Sequence, residues 1–387
     1  MEVLHFFVAI WSIALTLFVV FNFGYLFIAF ALAKLKGRAV RKSDGFEPFV
    51  SILIPCYNVG SVIDHKIKGI LNIAYPKHKF EIIAVESGST DNTRSIILKY
   101  ASEGKVKLIE EPRRLGKPSA INRGLRECKG DIVVLTDADA VVERDAITEL
   151  VKNFADQSVG AVVGNLTIVP NNSMASKMNH LFYLIFRQRL RMWESTFDSA
   201  SFWSGELCAF RKSLLERIDE DIINDDRYIL LKIRSKGYRC ISEPLARVYE
   251  HDAENISGQI MHKRRTTAGT IQGTLRFKRM LLNPKYGLFG MLILPAHLIR
   301  VILLPVLLLT VEALSPFAAY LVLQSSTGLL WLGVGAIVLV FLGLFNGGRK
   351  LLSSLFYGIV VQVAVLAGVT DYLLKRYNVL WKRIVKG

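Results

Sequence analysis

Cysteine is scarce in this chain: Cys56, Cys128, Cys208 and Cys240 are the four in 387 residues, and none forms a Cys-x-x-Cys pair. Such spacing excludes a disulfide framework and a cysteine zinc site, and reads as reduced thiols in a core. Acid is also short, with 33 Asp and Glu against 49 Lys and Arg, a formal charge of +16. Many of the cations flank long apolar runs, where anionic lipid headgroups are the simpler counter-ions. Membrane lipids are therefore the expected partners, and nucleic acid is excluded. The chain has no internal repeat and no low-complexity tract, which leaves out solenoid and disordered architectures.

What it has in quantity is apolar length. Val8 to Leu35 is uncharged as far as Ala33, more than the roughly 20 residues needed to cross a bilayer core. Met1-Glu2 opens the chain without a basic start, and the run is too long for the core of a secretion signal, so a retained transmembrane helix is predicted. Lys34, Lys36, Arg38, Arg41 and Lys42 follow it and make that flank cytoplasmic. Beyond Pro284 three further candidate spans appear, Leu288–Val311, Pro316–Phe345 and Leu355–Leu373, with Pro295, Pro305 and Pro316 placed to kink or divide them. The first is also read as a segment that begins flat at the interface, behind Lys278, Arg279 and Lys285. Three spans would leave the C-terminal Lys375, Arg376, Lys382, Arg383 and Lys386 outside, against the charge rule, unless one segment is re-entrant or split. The expected organisation is an anchor and basic flank over 1–42, a cytosolic domain over 43–277 and interfacial and transmembrane helices over 278–387, in a multi-pass protein of the cell membrane.

The polar middle alternates. Val50–Pro55 and Phe80–Val85 are β-branched runs, each running into turn residues, and Val106–Ile109 is a third. Helical patterns at Ser61–Asn72 and Thr93–Ala101 lie between them. This order predicts an α/β domain with a parallel sheet, whose ligands bind at the carboxyl ends of strands. Attention falls on Cys56-Tyr57-Asn58, Glu86–Asp91 and Asp137–Asp139. The last follows the strand from Asp131, and two carboxylates one residue apart in extended chain share a face. Hard Mg²⁺ or Mn²⁺ takes carboxylate and phosphate oxygens together, so the pair suits a metal-bound nucleotide diphosphate; the alternative is a solvated turn.

An ordered series of motifs raises the first reading. Pro55-Cys-Tyr57-Asn58, Glu86-Ser-Gly-Ser-Thr-Asp91-Asn-Thr93, Gly116-Lys117-Pro-Ser-Ala120-Ile-Asn122-Arg-Gly124, Thr136-Asp137-Ala-Asp139, Gly205-Glu206-Leu-Cys-Ala-Phe-Arg211 and Asp225-Asp226 occur in that order. From Val50 to Gln272 the chain resembles the inverting family 2 glycosyltransferases with a GT-A, Rossmann-like fold. The resemblance extends to hyaluronan, chitin and cellulose synthases and to ceramide and polyprenyl-phosphate glycosyltransferases. It implies that Pro55, Tyr57, Asn58, Glu86, Asp91, Lys117 and Asp137 bind the nucleotide sugar, a UDP- or GDP-sugar. It implies that Asp137 and Asp139 hold Mg²⁺ or Mn²⁺, that Asp226 is the base that deprotonates the acceptor, and that Arg265 stabilises the departing diphosphate. Trp203, Gly205, Glu206, Asp225 and His262 fall at the acceptor site. Glu86 stands where the family has aspartate, one methylene longer.

Each residue also has a plainer reading: a turn acid for Glu86, an Asx turn for Asp91, a solvated lysine for Lys117, a core ring for Trp203, and an acidic helix start for Asp225-Asp226. Family members that build polymers carry Gln-x-x-Arg-Trp-x-x-Gly-x-x-Gln, whereas the chain reads His262-Lys-Arg-Arg265-Thr266-Thr-Ala-Gly269-Thr-Ile-Gln272. The loss of tryptophan favours one or few additions to a lipid-linked or membrane-associated glycan; the spans on both sides favour a processive synthase with a transmembrane channel. Gln188-Arg-Leu-Arg-Met-Trp193 imitates the motif but reads as an amphipathic helix. A rival of another class is a silent membrane scaffold or transporter. Arg300 and Glu312 are the only charges well within the apolar segments, few for a transporter.

Overall fold

The computed structural model describes residues 2–170, 177, 180, 187–251, 256–324 and 346–380. Its centre is a sheet of strands β1 (Val50–Cys56), β2 (Phe80–Ser87), β3 (Lys107–Glu111), β4 (Ile132–Thr136), β5 (Val141–Val142), β6 (Val159–Val169), β7 (Leu207–Arg211) and β8 (Arg239–His251), in spatial order 3-2-1-4-7-6-8-5. Strands 3-2-1-4 are parallel, as the alternation predicts. The sheet continues beyond that parallel half in mixed directions. β7 runs antiparallel to both β4 and β6, and β5 antiparallel to β8. The parallel half is the part built by strand–helix–strand crossovers. All four cysteines are free and buried.

Helices cover both faces. On one, α2 (Ile63–Leu71), α3 (Thr93–Ser102) and α5 (Ala146–Lys152) bury Ile63, Ile67, Ile70, Ile97, Ile147 and Leu150 against β1 and β4. On the other, α4 (Lys117–Glu127) and α7 (Asp225–Ser235) bury Ile121, Leu125, Ile229 and Ile233. Gly124 lets α4 lie flat on the sheet, since a Cβ there would stand 2.1 Å from Leu53 Cδ1.

Among the described residues, two helices are long and apolar enough to cross a membrane: α1, Glu2–Leu35, and Phe289–Leu321. The second is a π-turn, Phe289–Ile293, running into α9, Leu294–Gln324. Pro305 and Pro316 lie inside α9 and do not divide it, so the first candidate span and the start of the second are one helix. The remainder of the second candidate, 325–345, lies outside the described residues. Phe7 stacks on Phe317 at 4.8 Å, Trp11 Nε1 donates to Ser315 Oγ at 3.1 Å, and Arg300 donates to Asn22 Oδ1 at 3.4 Å. As the number rises on α1 it falls on α9, so the pair is antiparallel and both helices reach the sheet domain at one end.

That end is joined firmly. The imitation motif forms α6 (Arg189–Phe197), where Trp193 meets Phe30 of α1 edge-on and Glu194 accepts from Tyr25 Oη at 2.6 Å. A third joint links α8 (Ile256–Arg276) to α10 (Asn346–Leu373). Arg264 forms two bonds to Asp371, at 3.0 and 2.9 Å, and Gly368 has no room for a Cβ, which would stand 2.4 Å from the Arg264 carbonyl oxygen. The third candidate span, Leu355–Leu373, lies within α10.

The Gly124 contact yields a test of the α4 packing. Gly124→Ala overpacks α4 against Leu53, a change of a kind that costs about 1–3 kcal/mol. Thermal unfolding of the detergent-purified protein should shift to lower temperature, and an unchanged midpoint would show that β1 and α4 are not packed this closely.

Candidate active site

The carboxyl ends of β1, β2 and β4 and the N-termini of α4 and α7 meet in one place. Its wall on the β1–β2 side is cross-bonded. Asn58, at φ 51°, accepts the Thr90 N–H at 2.8 Å, and its own N–H donates to Ser89 Oγ at 2.9 Å. Asp91 accepts from Thr93 N at 3.0 Å and Gly60 N at 3.0 Å, so it ties the two turns together as an Asx-type cap. Glu86 is buried at the end of β2 and accepts from Ser89 N at 2.5 Å. The Tyr57 ring lies under the Arg114 guanidinium at 4.1 Å, and Pro55 sits within β1 opposite Val85.

Charge gathers at the centre. Lys117, first residue of α4, pairs through Nζ with Asp137 Oδ1 at 2.7 Å and Asp225 Oδ2 at 3.1 Å. Burial opposes its charge, but Asp137 and Asp225 outweigh that and hold the ammonium well above its usual range. Burial raises the Asp137 carboxyl, and Lys117 pulls it back. Asp226 accepts from the Arg227 N–H at 2.7 Å, and burial, then the neighbouring Asp225, push it up to about 7. Arg265 on α8 belongs to the same group: burial lowers it to about 9, against the pull of Asp225, Asp226, Asp137 and Glu206. Glu206 adds a fourth carboxylate, whose Oε2 is buried with no partner. Gly205 lies against the cluster, and a Cβ there would come 3.2 Å from Lys117 Nζ.

Four carboxylates thus face Lys117 and Arg265. That imbalance, with the orphaned Glu206 oxygen, fits a site for a divalent cation. Among the described residues no three acidic, His or Cys side chains converge to hold an ion unaided. A cation there would draw its remaining ligands from phosphate and water, the ordinary preference of Mg²⁺ and its like.

The two acids of the metal motif do not face one way. Asp137 turns to Lys117, whereas half-buried Asp139 lines a cavity of about 350 Å³ beside α2, with Lys66, His65 and His251. Trp203 is 8% exposed and packs in the core, with its indole N–H buried and unpartnered. His262 is exposed on α8, and the Thr266 hydroxyl donates back to the His262 carbonyl at 2.9 Å.

Three residues matter more than their sequence reading gave them credit for. Gln272 Oε1 accepts from Ile223 N at 2.9 Å and its Nε2 donates to the Asp221 carbonyl at 2.9 Å. Gly269 admits Asn224, whose Nδ2 donates to the Thr266 carbonyl at 3.1 Å. Gln272, Gly269 and Asn224 therefore hold the loop that presents Asp225 and Asp226. The available signal was spacing, since Arg265, Gly269 and Gln272 recur at i, i+4 and i+7 on one helix face.

Residues 51–219 match the family described as glycosyl transferase family 2. A poly-beta-1,6-N-acetyl-D-glucosamine synthase from Staphylococcus aureus is 29% identical over 231 residues, 59% of this chain and 56% of that protein. Its namesake from Staphylococcus epidermidis is 28% identical over the same span. The chain therefore spans about half the length of these relatives (56%). Among solved structures, a mannosyltransferase from Pyrobaculum calidifontis, in complex with GDP-Man and Mn²⁺, is similar at a TM-score of 0.72 and 28% identity, over 95% of this chain and 100% of that one. The parallel half-sheet, the acidic centre at its carboxyl edge and these matches agree: residues 51–219 form a domain that matches glycosyl transferase family 2, on a GT-A fold.

Proposed function

We propose that this enzyme moves a sugar from a nucleotide diphosphate to a lipid-linked or membrane-associated glycan, with inversion and with a divalent cation, adding one or a few sugars. The observation that carries the reading is the buried cluster of Asp137, Glu206, Asp225 and Asp226 around Lys117 and Arg265. Tyr57, Asn58, Glu86 and Asp91 hold the nucleoside, with Pro55 ending the strand beneath them. Lys117 and Asp137 lie at the diphosphate. Asp137 and Asp139 hold Mg²⁺ or Mn²⁺, which when bound offsets charge on the leaving diphosphate. Asp226 takes the proton of the acceptor hydroxyl as that oxygen forms its bond to the anomeric carbon from the face opposite the leaving phosphate oxygen. The electron pair of the breaking bond goes to the diphosphate, where Arg265 compensates it. Trp203, Gly205, Glu206, Asp225 and His262 border the acceptor.

The same proposal divides the chain into an anchor over 1–42, a cytosolic catalytic domain over 43–277 and a membrane region over 278–387. It is supported by the two antiparallel apolar helices, whose domain-facing end carries the basic Lys34–Lys42 flank. GDP-mannose is the first donor to test, because the mannosyltransferase matched over 95% of this chain was solved with it. UDP-N-acetylglucosamine comes second, from the names of the staphylococcal relatives.

Asp226→Asn should keep donor binding and lower turnover by about 10²–10⁴-fold, the contribution of a positioned base. Asp225→Asn should cost less. Comparable binding isotherms with the opposite ranking of rates would move the base to Asp225.

A raised carboxyl also sets a pH limb. Asp226 works deprotonated, so kcat/KM should rise with pH through about 7 and level off above it. Removing the neighbouring charge in Asp225→Asn should move that limb to lower pH. A profile flat from pH 5 to 8 would remove Asp226 from the role.

Product length separates this reading from the processive one that the staphylococcal names favour. An aromatic ring offers a growing chain end a stacking surface that threonine lacks, and Thr266 is turned onto its own helix. Radiolabelled product made with excess donor should form a short ladder; long polymer at early times, with acceptor left unused, would establish processive synthesis.

A further inference from the structure

Lys66 is a lysine where the core should be. It lies on the face of α2 that buries Ile63, Ile67 and Ile70, and it is itself 4% exposed. Interior lysines are rare because burial strips the ammonium of its hydration, so one that is kept there has partners that require it. Its Nζ donates to Thr136 Oγ1 at 2.7 Å and to the Ala140 carbonyl at 2.6 Å. These two residues bracket Asp137-Ala138-Asp139 on either side. Thr136 Oγ1 in turn donates to the Glu206 carbonyl at 2.6 Å, so the contact reaches the segment after Gly205 as well. Lys66 also shares with Asp139 the cavity on the α2 side of the turn, away from the ion pair of Asp137 with Lys117.

We propose that Lys66 is a positioning residue for the metal-binding turn: by bonding Thr136 and Ala140 on either side of Asp137-Ala138-Asp139, it fixes the backbone of the turn from which both carboxylates project. The inference rests on the reading of Asp137 and Asp139 as metal ligands. Both of its partners accept, so the grip depends on the amine's hydrogens and its length, and no shorter or apolar side chain supplies it. Charge and position predict opposite results here. A lysine that acted through its charge alone would repel a metal ion, and its removal would tighten binding; a lysine that positions the ligands weakens binding when it is removed.

The test is Mn²⁺ binding to the full chain in detergent, followed by electron paramagnetic resonance of the free ion in the presence of GDP, for the parent, Lys66→Met, Thr136→Val and Asp139→Asn. Lys66→Met should weaken Mn²⁺ binding by about 10–100-fold, the usual effect of removing a group that orients metal ligands. Added Mn²⁺ should then restore the rate, with the KM for metal raised and kcat regained. Thr136→Val, which removes one of the two anchors and keeps the lysine, should weaken binding in the same direction by less, and it decides the matter if Lys66→Met does not fold. Unchanged or tighter binding in both variants, while Asp139→Asn abolishes it, overturns the role of Lys66 and leaves the metal site standing. Binding that survives Asp139→Asn overturns the metal site itself, and this inference with it.

Discussion

The buried charge around Lys117 is the constraint on which the catalytic half of the molecule depends. A lysine at the first position of a helix is badly placed, since the helix dipole is positive there, and burial adds a further cost. Asp137 at 2.7 Å and Asp225 at 3.1 Å make the position tenable, and they come from opposite sides, one from the end of β4 and the other from the start of α7. The ammonium thus joins two elements that the sequence separates by nearly 90 residues, as the numbers themselves show. Acid remains in excess even so. With Glu206 and Asp226 the site has four carboxylates against Lys117 and Arg265. That excess is what the proposed divalent cation would offset.

Support for that arrangement comes from the membrane side. α8 carries Arg265 into the cluster and grips the loop before Asp225 through Gly269 and Gln272. The same helix is bound to α10 by the two Arg264–Asp371 bonds and by the close approach at Gly368. α7 is tied back as well, since Arg227 donates to the Ser201 carbonyl at 2.6 Å and to Thr274 Oγ1 at 2.8 Å. Asp226 is therefore held by contacts that lead, in two steps, to an apolar helix.

Much of this was legible in the residues, because strands that end in proline or paired acids leave a strong local mark. Val50–Pro55 and the run from Asp131 fall within a residue or two of β1 and β4, and Asp137, just past the end of β4, lies in the charged centre paired with Lys117. The antiparallel β7 was not legible, since a five-residue buried strand has no direction in its sequence. The break expected at Pro305 and Pro316 did not occur; a long apolar helix packed against a partner tolerates proline where neighbouring groups take up the freed carbonyl. Lys66 was passed over for a different reason. Charge on a helix is read as solvent-facing, and only its spacing from Ile63, Ile67 and Ile70 shows that it cannot be.

The α8 motif makes a related point about what a partial match means. Arg265, Gly269 and Gln272, which agree with the pattern of polymer-building enzymes, all serve the catalytic loop or its charge. His262 and Thr266, which depart from it, have other settings: the first is exposed, and the second spends its hydroxyl on its own helix backbone. One helix face therefore carries two separable duties. The part that holds the loop before Asp225 and brings Arg265 into the cluster keeps the pattern. Position 266 can differ from the pattern without disturbing that part, since the Thr266 hydroxyl donates to carbonyls of its own helix.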